Sequence, residues 1–209
     1  MDVQSISALA TAGGTLVLAI ATFSAVRSSN RSARVAEESL MAALRPLVVP
    51  SLADDPAHKA HWVDGHTALV PGGRAVVEEA GGVIYLAMGL RNVGAGLGLL
   101  HAWNLLPPDA VGIEPHADLP AFRRLAIDLY IPSGGTGYWE SAVRDAADPA
   151  RDGLLACLQQ RHPIRIDLLY GDQQGGQRMI SRFSILPLGD GDWYANVTRH
   201  WSVDRPDPR

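Results

Sequence analysis

The chain has one cysteine, Cys157, in 209 residues. No intrachain disulfide can form, and a reducing compartment suits it better than an oxidising one. Excess positive charge is also missing. The formal net charge is −4 and the pI about 5.9, whereas a nucleic-acid binder shows a basic domain or stripe. Catalytic signatures are missing too. Ser133, Ser141 and Ser181 stand outside any GxSxG elbow. The glycines of NVGAGLG (Gly94, Gly96, Gly98) miss GxGxxG spacing and lead into LLHAWNLL, which reads as a strand, not as the helix a dinucleotide turn needs. They are expected to form a tight connection at positive φ. No motif requires a cofactor or a metal, and partners exclude nucleic acid.

Charge is absent altogether from Val3 to Val26. As a helix this run spans roughly 36 Å, against about 30 Å of bilayer hydrocarbon. A cleaved signal peptide would need a positive start, but only Asp2 precedes the run. The expectation is a single-pass transmembrane anchor at 1–27, with the lipid bilayer as partner of residues 3–26. Arg27, Arg31, Arg34 and Arg45 all lie downstream, which points the C-terminal domain into the cytoplasm by the positive-inside rule. Residues 28–45 read as a juxtamembrane helix stopped by Pro46, with self-association as one use of its weak apolar stripe.

Beyond Arg45 the pattern changes. Apolar content of 47% and charged content of 19% are ordinary for a globular protein, and roughly 160 residues suffice for a core. Fourteen prolines and 21 glycines suit short strands and frequent turns. Strands are expected near 47–52, 74–79, 83–93, 99–106, 122–131, 137–144, 164–170, 178–186 and 193–203. Residues 57–73 and 107–121 read as loops, and 149–160 as the domain's one short helix. Gly81-Gly82 reads as a hairpin turn, and the strand from Val83 as buried on both faces or central in its sheet. The fold class is mainly β: an antiparallel immunoglobulin-like β-sandwich over 46–204, with a closed barrel as the alternative and a flexible tail at 205–209.

Candidate chemistry is sparse. His58, His61 and His66 lie near Asp54, Asp55 and Asp64, but zinc spacing is not met. Asp128, Glu140, Asp167 and Asp172 are carboxylates with no spacing that pairs them. His101 and His200, next to tryptophans on strands, read as structural, and Cys157 as a packed hydrophobe. The most distinctive string is DLLYGDQQGGQRMISRF. Its polar hairpin makes Gln173, Gln174, Gln177, Arg178 and Arg182 the possible partner-binding residues, with a side-chain link to Asp167 as the competing use of either arginine.

Three strings, ATFSAVRSSNRSARVAEESLMAALRP, LAMGLRNVGAGLGLLHAW and DLLYGDQQGGQRMISRF, together with the terminal RHWSVDRPDPR, carry a resemblance. The chain resembles a group of uncharacterised actinobacterial membrane-anchored proteins over nearly its whole length. The resemblance implies an N-terminal helical anchor and a β-sandwich-like domain, and no activity. The function expected is that of a membrane-tethered binding or scaffolding module without catalytic activity, at the cell membrane. The alternative is a membrane-tethered hydrolase with a loop-built site, for instance around the 54–66 His/Asp segment.

Overall fold

The structure, a computed structural model, describes residues 3–189 and 191–204, with side chains from residue 11 onward. The expected tail at 205–209 lies outside the described residues. The chain divides into one unit ending at Ala43 and a second beginning at Leu44.

The first unit is a single helix, α1 (Val3–Ala43). The two helices expected on either side of Arg27 are one element, because no proline interrupts the run before Pro46. Thr15 and Ser24 donate back to the carbonyls of Thr11 and Ile20 at 2.9 and 2.8 Å, so their hydroxyls are satisfied within the helix. Among the described residues, no helix is long and apolar enough to cross a membrane, which corrects the expected span. Dense apolarity is confined to Leu16–Val26. Thr11, Gly13, Gly14 and Thr15 dilute it upstream, and Arg27 ends it. That stretch covers roughly 16 Å of helix, about half the hydrocarbon thickness.

The second unit comprises β1 (Val48–Pro50), β2 (His58–His61), β3 (Thr67–Val70), β4 (Arg74–Ala80), β5 (Val83–Asn92), β6 (Gly98–Leu105), β7 (Arg123–Ile131), β8 (Thr136–Val143), α2 (Arg151–Gln160), β9 (Ile164–Gly171), β10 (Met179–Pro187) and β11 (Trp193–Ser202). Nine strands form one antiparallel sheet in the order β1-β5-β4-β11-β10-β9-β6-β7, with β8 also on β5. β5 pairs with β8 over Ile84–Arg91, with β4 over Val83–Met88 and with β1 over Leu90–Asn92. A strand has two edges, so β4 and β1 share one edge of β5 end to end and β8 takes the other.

The fold is therefore one curled sheet, a half-barrel, and not the two-sheet immunoglobulin-like sandwich expected. Alternation within a strand says which residues face inward; it does not say whether the facing layer is a second sheet or the same sheet bent round. The inner face carries the core. Ile84, Leu86, Met88 and Leu90 of β5 meet Ile166, Leu168 and Tyr170 of β9 and Phe183 and Ile185 of β10 in one buried cluster with Trp139. α2 adds Leu154 and Cys157 to that cluster. Parts of the outer face are covered as well. The hairpin β2–β3, expected as a loop, seats Ala60, Trp62 and Val70 on Tyr85 and Ala87. This explains why β5 is buried on both faces. Ala117, Leu119 and Phe122, in and after the segment that follows β6, cover Ile180 and Trp201.

Two glycine sites set the turns. Gly81 and Gly82 have φ of 58° and 79° and form the two-residue β4–β5 hairpin, as a type I′ turn requires. Gly94 and Gly96 are not among the positive-φ glycines, which corrects the expected reason for them. A Cβ on either would run into backbone atoms of the Leu44–Leu47 segment; they permit close approach, not a special dihedral.

Candidate functional site

The β9–β10 hairpin sorts the five residues expected to bind a partner. Asp172 is buried, and its Oδ1 accepts the Gly176 N–H at 2.9 Å, the local capping that favours Asp in turns. Gln177 is buried too, and its Oε1 accepts from Arg45 Nε at 3.0 Å. Arg178 gives its N–H and guanidinium to Asp204 at 2.6–3.0 Å, and that guanidinium holds the Asp204 carboxyl below its ordinary value. Gln173 and Gln174 alone of the five stand exposed at the tip without such links.

Arg182 faces away from solvent, at 1% exposure, and Asp167 opposite it is at 0%. Its Nε and Nη2 donate to the two Asp167 oxygens at 2.7 and 2.8 Å. Its remaining donors reach the carbonyls of Gly112, Glu114 and Pro115, and the guanidinium lies 4.9 Å from the Trp201 ring centre. The planar fork thus ties the 107–121 segment to the outer face of the sheet. Glu114 completes the tie by accepting from Val111 and Gly112 N–H, both at 2.8 Å.

One serine does meet a histidine. Ser181 Oγ is 2.6 Å from His200 Nδ1 and 2.8 Å from Tyr170 Oη, which in turn accepts the Val48 N–H. Yet Ser181 and Tyr170 are fully buried, so no reactant reaches the hydroxyl. The chain of hydrogen bonds satisfies polar groups inside the core. The histidines of the β2–β3 hairpin do not converge. His66 lies 2.6 Å from Glu78 Oε1 and stacks on Tyr85 at 3.9 Å, and no group of three or more metal-competent side chains occurs among the described residues.

A more open feature lies where the curled sheet fails to close. β7 and β8 are both edge strands, consecutive in sequence and joined by the turn at 132–135, which hydrogen bonds to Asn92 pin. They share no ladder. Away from the turn their edges bound a groove of about 250 Å³. Its β7 wall is Arg123–Ile127 and Leu129, its β8 wall Glu140–Ala142, and Trp62 and Trp103 line it as well. β7 is irregular here: its ladder with β6 jumps from Leu129 to Arg124, so residues 125–128 bulge against His101. Ile127 is consequently exposed at 48%.

The charges of the groove are arranged unevenly. Arg123 is fixed by two bonds to Asp148 and lies 5.3 Å from the Trp103 ring centre. Arg144 is bonded to Asp64, which also accepts from Tyr85 Oη at 2.9 Å. Desolvation pushes the Asp64 carboxyl up, but the His66 N–H, Tyr85 and Arg144 outweigh it and leave it below the ordinary value. Glu140 is the reverse: burial raises its carboxyl, against a hydrogen bond from the His61 N–H. Arg124 is exposed, and its guanidinium makes no hydrogen bond or ion pair among the described residues. A residue-by-residue reading of the sequence misses this groove, because Trp62 and Trp103 reach its β7 and β8 walls from distant segments of the chain. Compared with family models, curated proteins and solved structures, the chain matches none of them.

Proposed function

We propose that the chain is a non-catalytic binding or scaffolding module held at the cytoplasmic face of the cell membrane by α1, with the β7–β8 groove as its partner surface. One observation carries the binding reading. Two sheet edges that could have been laddered into a closed barrel are left apart, with aromatic rings, an exposed Ile127 and the uncommitted Arg124 between them. Rings and arginines are the side chains that dominate interface energetics. Lipid attachment draws on the exposed apolar stretch Leu16–Val26 and on Arg27, Arg31 and Arg34. Each such arginine contributes about 1 kcal/mol near an anionic surface. The resemblance to actinobacterial membrane-anchored proteins points the same way. Gln173 and Gln174 of the hairpin tip are a lesser contact on this reading.

Site-specific photocrosslinking tests it. A benzophenone side chain placed at Ile127 in the full chain should give a discrete adduct in native membranes, and one placed at the exposed Leu69 should not. Equal labelling at both positions, or none at Ile127, refutes the groove as the partner surface.

A second reading, a membrane-tethered hydrolase, draws on Glu140 alone. It is a carboxyl raised by burial within a groove, as a general acid would be. Glu140→Gln should abolish any ester or glycoside hydrolysis the full chain performs, and an unchanged rate removes this reading.

A further inference from the structure

A second cavity, sharing no residue with the β7–β8 groove, opens where α2 packs against the end of β6 and the start of β9. Its volume is about 300 Å³, at the small end of the ~300–1,000 Å³ typical of small-molecule sites. Its floor is apolar: Leu105 and Leu106 from β6 and the residue after it, Leu154 and Cys157 from α2, and Ile164 from β9. Four prolines, Pro107, Pro108, Pro149 and Pro163, form much of the rim. Their fixed φ makes the opening stiff, so the cavity is formed before anything enters it. Gly153 belongs to the same design. A Cβ there would come within 2.8 Å of Pro108 Cγ, so the glycine lets the Pro107-Pro108 pair sit directly on the first turn of the helix.

One charged side chain lines this cavity, Arg165. Its cross-strand neighbour is Ser184, not an acid. The nearest carboxylate along its own strand, Asp167, is already saturated by Arg182. The Arg165 carbonyl accepts the Leu106 N–H, but its guanidinium makes no hydrogen bond or ion pair among the described residues, and the residue is only partly exposed. Arg151 on the first turn of α2 is directed to Glu79, at 3.9 Å, and Asp152 is exposed and outside the lining. The cavity therefore combines stiff apolar walls with a single uncompensated guanidinium. A phosphate dianion would find too few donors, and a neutral apolar molecule would leave the cation unpaired.

We propose that this cavity binds a small amphipathic carboxylate, with its alkyl chain among Leu105, Leu154 and Ile164 and its carboxylate paired by Arg165. The guanidinium fork accommodates such a group with two parallel hydrogen bonds. Cys157 lies in the cavity wall, so an occupant shields its thiol; burial already raises that thiol, which keeps it slow to react when the cavity is empty.

Decanoate, decanol and decylamine are the probes, applied to the full-length protein. Two measurements apply to each: calorimetric affinity, and the rate of Cys157 alkylation by N-ethylmaleimide. Decanoate should bind at least tenfold tighter than decanol or decylamine and slow alkylation at least fivefold. Arg165→Gln should lose the tenfold preference while keeping decanol affinity, and Arg165→Lys should recover part of it. Equal affinity for decanoate and decanol in the wild-type protein overturns the proposal without recourse to any variant. So does an alkylation rate that saturating decanoate leaves unchanged.

Discussion

Arg182→Met should be among the most damaging single changes in the domain, although the residue stands beside a polar hairpin. The substitution keeps the stem and removes the guanidinium. It leaves Asp167, at 0% exposure, without the two bonds it accepts at 2.7 and 2.8 Å. It also strands the carbonyls of Gly112, Glu114 and Pro115, whose segment covers Ile180 and Trp201. Breaking a buried pair by removing one partner costs about 3–5 kcal/mol, because the surviving charge is uncompensated. A domain of this size shifts its Tm by roughly 2–4 °C per kcal/mol, so the full chain should melt about 6–20 °C lower by circular dichroism. The double variant Arg182→Met, Asp167→Leu should recover most of that loss, since removing both charges also removes the desolvation penalty. A single variant that loses less than about 1 kcal/mol would refute the assignment of Arg182 as a latch. It would also return Arg182 to the pool of residues free to meet a partner.

Four further outcomes are expected of the full chain. Glu140→Gln should raise Tm at pH 7. Its folded carboxyl is raised by burial, so the folded state binds the proton more tightly and ionisation costs stability above that raised value. The gain should shrink as pH falls below that raised value and vanish below the ordinary carboxylate value, and a Tm difference independent of pH would contradict this. Asp148 and Asp204, held below the ordinary range by Arg123 and Arg178, act in the opposite sense: their contribution is present above about pH 4 and is lost on further acidification, seen as a steepening fall of Tm in acid. Replacing residues 172–177 with Asn-Gly should lower Tm by several degrees, because it deletes the Gln177–Arg45 bond and the Asp172 cap, whereas Gln173→Ala with Gln174→Ala should change it within about 0.5 kcal/mol. Finally, the full chain should sediment with membranes and lose that behaviour on Leu16→Glu with Ile20→Glu; a soluble wild-type chain would remove the lipid partner from the proposal.

Much of the β domain was legible as a list of strands. Alternating runs with glycine and proline punctuation put β4 to β11 within a residue or two of their observed limits, because period and turn chemistry are local. Three things were not local. The β2–β3 hairpin was hidden by its polar composition: His58, Lys59, His61 and Thr67 read as loop, and what makes them strands is docking of Ala60, Trp62 and Val70 on Tyr85 and Ala87. The curl of the sheet was hidden because inward-facing residues look alike in a sandwich and a half-barrel. The fate of Arg182 was hidden because strand parity placed it with Arg178 on one face and could not say that the 107–121 segment would cover only one of them. The competing link to Asp167, open in the sequence, is the one the fold makes.

The two edges of the β7–β8 groove are not equivalent, and this decides what kind of occupant it suits. Exposed edges invite indiscriminate strand pairing, and native sheets blunt them with charge, bulges or cover. The β8 edge is covered: Trp62 Nε1 donates to the Ser141 carbonyl at 2.9 Å, and Glu140 accepts from the His61 N–H. The β7 edge is blunted by Arg123, Arg124 and Asp128 and by the four-residue departure from the β6 ladder at 125–128. A strand added by main-chain hydrogen bonds would have no continuous template on either side. The groove instead offers side chains: the exposed Ile127 and the unengaged Arg124, over the buried rings of Trp62 and Trp103. An occupant held this way is an acidic one, and Arg124 sits at the rim in water, where its charge is screened over about 8–10 Å at physiological ionic strength. Arg124→Glu should therefore weaken crosslinking at Ile127 strongly at 50 mM salt and much less at 500 mM. The same loss at both concentrations would mean that Arg124 acts through packing, and would put an acidic partner out of the reckoning.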